Sequence, residues 1–219
     1  MMDDKLLEFE NDGELAGLRI LAKERLSEYR YRHTIGVARA AAALAERYGC
    51  SVRRAYKAGL LHDICKDLKK EEQLAEIIRY VPDFELSEPV WYASPSLWHS
   101  RAGALYARYE LNETDEEIIN AVRYHTSARA GMSRLEEIVY LADLVSEDRD
   151  YPDVDEMRRL SMQGIDAAML YALKYIIGEL TRKEKLISPE TAAAYDQYAL
   201  AAGRAGQKTN KYVHKARED

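Results

Sequence analysis

Between Ala55 and Lys66 the chain reads AYKAGLLHDICK, an apolar helical run that ends in an adjacent histidine and aspartate, His62 and Asp63. Both side chains can turn inward from the last turn of such a helix, so the rest of the chain has to be arranged around them. Imidazole and carboxylate together suit a divalent transition metal. Alone, the pair would read as a buried histidine beside a capping aspartate, but it has company. Upstream, Arg30 and His33 share an amphipathic run. Downstream come Trp98-His99, then the stretch 121–126 that ends in His125 and Thr126, then Tyr140-Leu-Ala-Asp143. Four of the five histidines fall in this ordered set.

Helical spacing of apolar residues recurs along most of the chain and no stretch alternates as a strand does, so the expected fold is all-α. Residues 1–13 read as an N-terminal extension, a frayed start or a short helix outside the core. Residues 14–200 read as one domain, and 201–219 as a polar tail in which His214 is a solvated bystander. Helix is predicted from Glu14 through Tyr31 and on to Gly49, which serves as the stop. On that helix His33 shares a face with Val37 and Leu44 and points inward. Ser51 caps the next helix, which carries His62 and Asp63 on a rigid element. Residues 67–80 form a charged amphipathic helix, and 81–97, with three of the five prolines, a loop with room for one helical turn. A helix over 98–109 follows. Capping boxes at Thr114–Glu117 and Ser133–Glu136 open the helices that deliver His125 and Asp143. Asp143 is embedded in the apolar stripe of Ile138, Leu141, Leu144 and Val145, where an unpaired carboxylate is costly and a metal ion supplies the partner. After a turn at Tyr151-Pro152, one or two helices cover 154–180, and Ser188-Pro189 has the form of a helix start.

A chain of 219 residues with 47% apolar content can bury one substantial core. Its net charge of −6 argues against a duplex nucleic-acid partner, which needs a basic face, but not against a nucleotide whose few phosphates are met locally. Cys50 and Cys65 are isolated, and no signal peptide or long apolar span is evident. The expectation is a reducing cytoplasm and no membrane partner.

The ordered set H…HD…H…H…D resembles the HD-domain metal-dependent phosphohydrolases. AGLLHDICKD at 58–67, HTSARAGMSRLEEIVYLADLVSEDR at 125–149 and LISPET at 186–191 are similar to the YqeK family, bacterial HD proteins that act as symmetrical diadenosine tetraphosphate hydrolases. The likeness runs from about residue 20 to about residue 198. It implies a single HD-domain helical bundle with a metal centre between helices and a small-molecule nucleotide substrate, with a homodimer as an open assembly state. The ligands it implies are His33, His62, Asp63, His99, His125 and Asp143. His33, His62, Asp63 and Asp143 would hold one ion, and Asp63 would bridge to a second at His99 and His125. A carboxylate can span two cations, and a two-metal clamp activates water while neutralising the phosphate under attack. The metal implied is iron, as one or two ions, with manganese as the alternative. Asp63, Lys66 and Arg149 are the catalytic candidates, with Arg149 and Arg30 placed for phosphate. Thr126 and the segment Leu186, Ile187, Ser188, Pro189, Glu190 and Thr191 would line the nucleotide pocket. The chain departs from the family at Ser100, after His99, and at Ala128, two residues after Thr126, where glycine is usual. The rival readings are another HD nucleotide phosphohydrolase, acting on nucleoside 5′-phosphates or (p)ppGpp, and a non-catalytic nucleotide sensor.

Overall fold

A computed structural model describes Phe9 and residues 11–215, with side chains as far as residue 203; His214 lies outside the described side chains. Among the described residues every regular element is a helix, as the apolar periodicity predicts, and no helix is long and apolar enough to cross a membrane. The helix α1 (Gly13–Arg25) is capped by Asp12, whose carboxylate accepts from the backbone N–H of Glu14 and Leu15 at 3.1 Å. Phe9, inside the segment expected to lie outside the core, is buried against Tyr56, with ring centroids 5.1 Å apart.

The helix expected to run unbroken to Gly49 is interrupted. Leu26 takes an extended conformation (φ −115, ψ 145), and the Ser27 N–H donates 2.7 Å to Asp67 Oδ2. The backbone donor that a continuous helix would use is committed to the loop after the His-Asp pair, and Leu26 turns into the core instead. The next helix, α2 (Glu28–Arg47), ends as predicted at Gly49, whose φ of +68 suits glycine. Ala38, Ala41, Ala42 and Ala45 are buried, and α2 packs against α3 (Val52–Leu61), which Ser51 caps. The approach is close: a Cβ on Gly59 would stand 2.5 Å from Ala38 Cα.

After α3 come α4 (Lys70–Tyr80) and the stretch expected to be loop. That stretch folds into α5 (Phe84–Ser87), α6 (Pro89–Tyr92) and a 3-10 turn over Pro95–Leu97, three short turns rather than one. They form because Phe84 and Trp91 are buried, and because Glu88 accepts from Arg101 and Arg123, which fastens the segment to the helices beneath. Then follow α7 (Trp98–Tyr109) and α8 (Glu116–Tyr124). The cap of α8 is Asp115, one residue later than predicted, because Glu113 takes the N–H of both Thr114 and Asp115 and leaves the Asp115 carboxylate to serve Glu117 and Ile118. The capping box of Ser133 and Glu136 opens α9 (Arg134–Val145) as read. The region 154–180 is two helices, α10 (Val154–Gln163) and α11 (Ile165–Arg182), separated at Gly164. Last is α12 (Pro189–Lys215).

Two apolar clusters form the interior. The larger joins α2, α3, α8, α9 and α11; the smaller gathers Ile64, Cys65, Ile77, Phe84, Trp91 and Trp98. Leu60 and Leu61 belong to the first and Ile64 and Cys65 to the second, so His62 and Asp63 stand at the seam.

Candidate metal centre

Five helices deliver the polar groups that meet at this seam. His33 lies near the start of α2, His62 and Asp63 just past α3, His99 in the first turn of α7, His125 just past α8, and Asp143 near the end of α9. His33, His62, Asp63, His99 and His125 are all buried. The four imidazoles follow one another in space. Ring centroids of His33 and His62 are 5.4 Å apart, those of His62 and His125 5.0 Å, and those of His125 and His99 5.2 Å. Asp63 stands beside three of them. Its Oδ1 is 3.4 Å from Nε2 of both His99 and His125, and its Oδ2 is 3.7 Å from His62 Nε2.

Three of the rings are oriented from behind. His62 Nδ1 donates to the Gly59 carbonyl and His125 Nδ1 to the Val122 carbonyl, each at 2.7 Å and each three residues back, a bond open to a histidine on the residue after a helix. His33 Nδ1 donates 2.8 Å to Asp148 Oδ2, and Asp148 Oδ1 accepts from Ser146 Oγ at 2.8 Å. With Nδ1–H committed, each Nε2 is turned toward the carboxylates, as in histidines that ligate metal.

The electrostatics give a donor set suited to a divalent cation. Burial pushes His62 down to about 4, and burial followed by the Lys66 charge pushes His99 well below the usual imidazole range. Burial works against ionisation of Asp63, but His62, His125, Lys66 and His99 outweigh it and hold the carboxyl well below its ordinary range. Asp143 is likewise lowered against burial, by His33 and Arg149. Burial opposes charge on His33, yet the hydrogen bond and charge of Asp143 raise its pKa. The buried His62 Nε2 and Asp63 Oδ1 have no hydrogen-bond partner among the described residues. Two triplets have ligand atoms all within 4.8 Å of one another: His33, His62 and Asp63, and Asp63, His99 and His125. Imidazoles around an ionised carboxylate shared by both triplets, with His62 and His99 held toward the neutral form by burial, fit a divalent metal. Asp143 falls within neither triplet and reaches His33 Nε2 at 2.9 Å.

The three basic candidates sit on the carboxylates. Lys66 Nζ is 3.6 Å from Asp63 Oδ1 and 2.9 Å from His99 Nε2. Arg30 Nη1 is 3.6 Å from Asp63 Oδ2. Arg149 pairs with the Asp143 carboxylate through Nη2, which is also 3.4 Å from His33 Nε2. Thr126 Oγ1 is 3.2 Å from His99 Nε2 and opens onto a cleft of about 430 Å³ bounded by residues 93–97, Thr126, Ser127, Ile176, Leu180 and the segment before α12. Leu186, Ser188 and Thr191 line this cleft. Ile187, Pro189 and Glu190 do not; Glu190 instead accepts from Trp91 Nε1 at 2.9 Å. Ser188 caps α12 by accepting from the Thr191 N–H, and Thr191 Oγ1 donates 2.6 Å to the Ser127 carbonyl.

The two departures from the family pattern are accommodated. Ser100 is buried with its hydroxyl donating 2.8 Å to the Leu97 carbonyl. Ala128 adopts φ +56, a left-handed conformation that glycine takes without strain. Sequence reasoning missed Asp148. Its one signal is a carboxylate beside Arg149 in the turn after α9.

A buried row of histidines flanking a His-Asp pair, carried on a helical bundle, defines a protein of the HD class. The chain belongs to the HD-domain family, whose model matches residues 30–148 and so spans His33 to Asp148. Its relatives are more particular. It is 37% identical over 174 residues to the bis(5′-nucleosyl)-tetraphosphatase, symmetrical, of Bacillus subtilis, covering 80% of this chain and 91% of that one. It is 36% identical over 181 residues to the protein of the same name from Halalkalibacterium halodurans, covering 82% and 94%. A crystal structure from Clostridium acetobutylicum, described as a predicted HD superfamily hydrolase involved in NAD metabolism, matches with a TM-score of 0.77 at 28% identity, over 85% of this chain and 97% of that one.

Proposed function

We propose that this chain is a symmetrical bis(5′-nucleosyl)-tetraphosphatase, cleaving diadenosine tetraphosphate at its centre to two ADP. The observation that carries the reading is the chain's likeness, over nine-tenths of their length, to two relatives of that name. It is joined to a centre in which the ligand atoms of both triplets converge on one carboxylate. His33, His62, Asp63 and Asp143 would hold one divalent ion, and Asp63, His99 and His125 a second. Iron is the metal proposed, with manganese as the alternative. Ions so held acidify water and draw charge from a phosphoryl oxygen.

The chain's own groups supply the rest. Lys66, Arg30 and Arg149 are the cations nearest the ligand carboxylates and are suited to offset charge on the phosphates. The cleft beyond Thr126, walled by Leu186, Ser188 and Thr191, is of a size to take one nucleoside. With one ADP half held there, the phosphorus set over the metal pair would be the terminal phosphorus of that half, and its bond to the bridging oxygen is the one that breaks. A cytoplasmic setting and a homodimer belong to the same proposal. A nucleoside 5′-phosphate or (p)ppGpp hydrolase and a non-catalytic sensor are the alternatives.

The test is incubation of the iron-loaded protein with diadenosine tetraphosphate in water enriched in heavy oxygen, with products resolved by mass. ADP alone, carrying one heavy oxygen per pair of product molecules, is the expected result. ATP with AMP, or intact substrate, overturns the proposal. Chelation is expected to abolish turnover and leave the helical circular dichroism unchanged, since the core is formed by apolar residues around the centre.

A further inference from the structure

The two ligand triplets are not supported equally from behind. On one side, both rings donate Nδ1–H to a fixed acceptor: His33 to Asp148 and His62 to the Gly59 carbonyl. The Asp148 carboxylate is itself set in place, accepting from Ser146 Oγ at 2.8 Å and packed against Gly36, where a Cβ would stand 3.4 Å from Asp148 Oδ1. This side also has a second carboxylate, Asp143, at 2.9 Å from His33 Nε2. On the other side His125 has its carbonyl at Val122, but the buried His99 Nδ1 has no hydrogen-bond partner among the described residues. Each side has one basic group near a ring nitrogen, Arg149 at His33 and Lys66 at His99, and Arg30 lies 3.6 Å from Asp63 Oδ2, the oxygen nearer His62, so nearby cations do not favour metal at the His33 and His62 side.

An acceptor behind a ligating imidazole fixes its tautomer, holds the ring in line and raises the basicity of Nε2. Removing such a group lowers metal affinity by roughly 10- to 100-fold. A ring that ligates through Nε2 while its buried Nδ1–H has no acceptor carries a desolvation penalty instead. We propose that Asp148 is the positioning residue for a tight metal position at His33 and His62, and that the position at His99 and His125 is intrinsically weaker, so that the chain fills its two positions in unequal steps. The proposal rests on the metal centre of the preceding reading but not on its substrate.

Equilibrium dialysis of chelator-treated protein against manganese(II), up to about 1 mM free ion, tests it without any substrate. The wild type is expected to bind in two steps whose midpoints differ by about tenfold or more. Asp148→Ala should weaken the tighter step by about 10-fold or more and leave the weaker one in place, and Asp148→Asn, which keeps an acceptor, should restore part of the loss. His99→Ala should remove only the weaker step. Circular dichroism reports whether each variant folds; should Asp148→Ala fail to, Asp148→Asn and His99→Ala still decide. Two indistinguishable steps, a single site, an equal loss of both steps in the Asp148 variants, or loss of the tighter step in His99→Ala overturns the proposal. None of these results depends on which nucleotide is hydrolysed.

Discussion

Arg149 closes on Asp143 from two directions, donating from Nε to its backbone carbonyl at 2.8 Å and from Nη2 to its carboxylate. The planar fork makes both bonds at once, which a lysine ammonium cannot do with the same geometry. In Arg149→Lys, kcat/KM for diadenosine tetraphosphate is expected to fall by about tenfold or more, equivalent to ~1.4 kcal/mol of transition-state stabilisation. The pair is partly exposed, so the melting temperature should change little, in keeping with roughly 0–1 kcal/mol for such pairs. Steady-state kinetics and thermal melts on one preparation separate the two. Parallel losses would make Arg149 a structural partner of Asp143 alone.

Gly59 couples packing to the site. An added methyl would stand 2.5 Å from Ala38 Cα and 2.9 Å from Ala38 N, both backbone atoms that cannot swing aside. The same residue's carbonyl accepts the His62 Nδ1–H. Gly59→Ala is expected to lower stability by about 1–3 kcal/mol through overpacking and to reduce metal retention along with it. Denaturant unfolding and elemental analysis check both; unchanged stability would show that α2 and α3 can part at no cost.

Acid should destabilise the metal-free protein before the carboxylates titrate. An unfolded histidine takes up a proton near pH 6.5, whereas burial holds folded His62 down to about 4. Between those values the unfolded chain binds the extra proton, so stability falls as pH falls. His99, also lowered, acts in the same direction, and His33, raised by Asp143, opposes. From His62 alone the loss by pH 5 is about 2 kcal/mol. Thermal melts of chelator-treated protein at pH 7 and pH 5 should show the drop, smaller in His62→Gln. A melting temperature that rises on acidification would contradict the assignment.

Thr191 ties the start of α12 to the loop after Thr126 through its 2.6 Å bond to the Ser127 carbonyl. Thr191→Val keeps the shape and removes the donor, leaving a buried carbonyl unpaired at a cost of about 1–3 kcal/mol. Because this bond shapes the cleft and touches none of the proposed metal ligands, KM should rise severalfold with kcat little changed. A fall in kcat at constant KM would move Thr191 from the cleft to the reacting centre.

Most of this architecture was readable from residue order, because the signals were local. Helical periodicity, the stop at Gly49, the cap at Ser51 and the box at Ser133 and Glu136 are each set within a few residues. What escaped depended on distant partners. The break at Leu26–Ser27 is made by Asp67, forty positions on, and nothing in the alternation around Leu26 announces it. The short turns at 84–97 are fixed by Arg101, Arg123 and the burial of Trp91. Asp148 is marked as the partner of His33 only when residues 115 positions apart are brought together. The same distinction holds at the cleft, where a helix start was legible at Ser188 but the pairing of Glu190 with Trp91 was not.

His33, His62, Asp63, His99, His125 and Asp143 arrive on five different helices. During synthesis, when chains emerge from the N-terminus and fold as they lengthen, the proposed ligand set is incomplete until α9 has left the ribosome. Metal that binds only the finished arrangement contributes its binding free energy to that arrangement alone. In the proposed centre the ion would thereby favour the assembled bundle over chains with a ligand-bearing helix out of register, because a position that lacks one of its ligands gains less of that stabilisation.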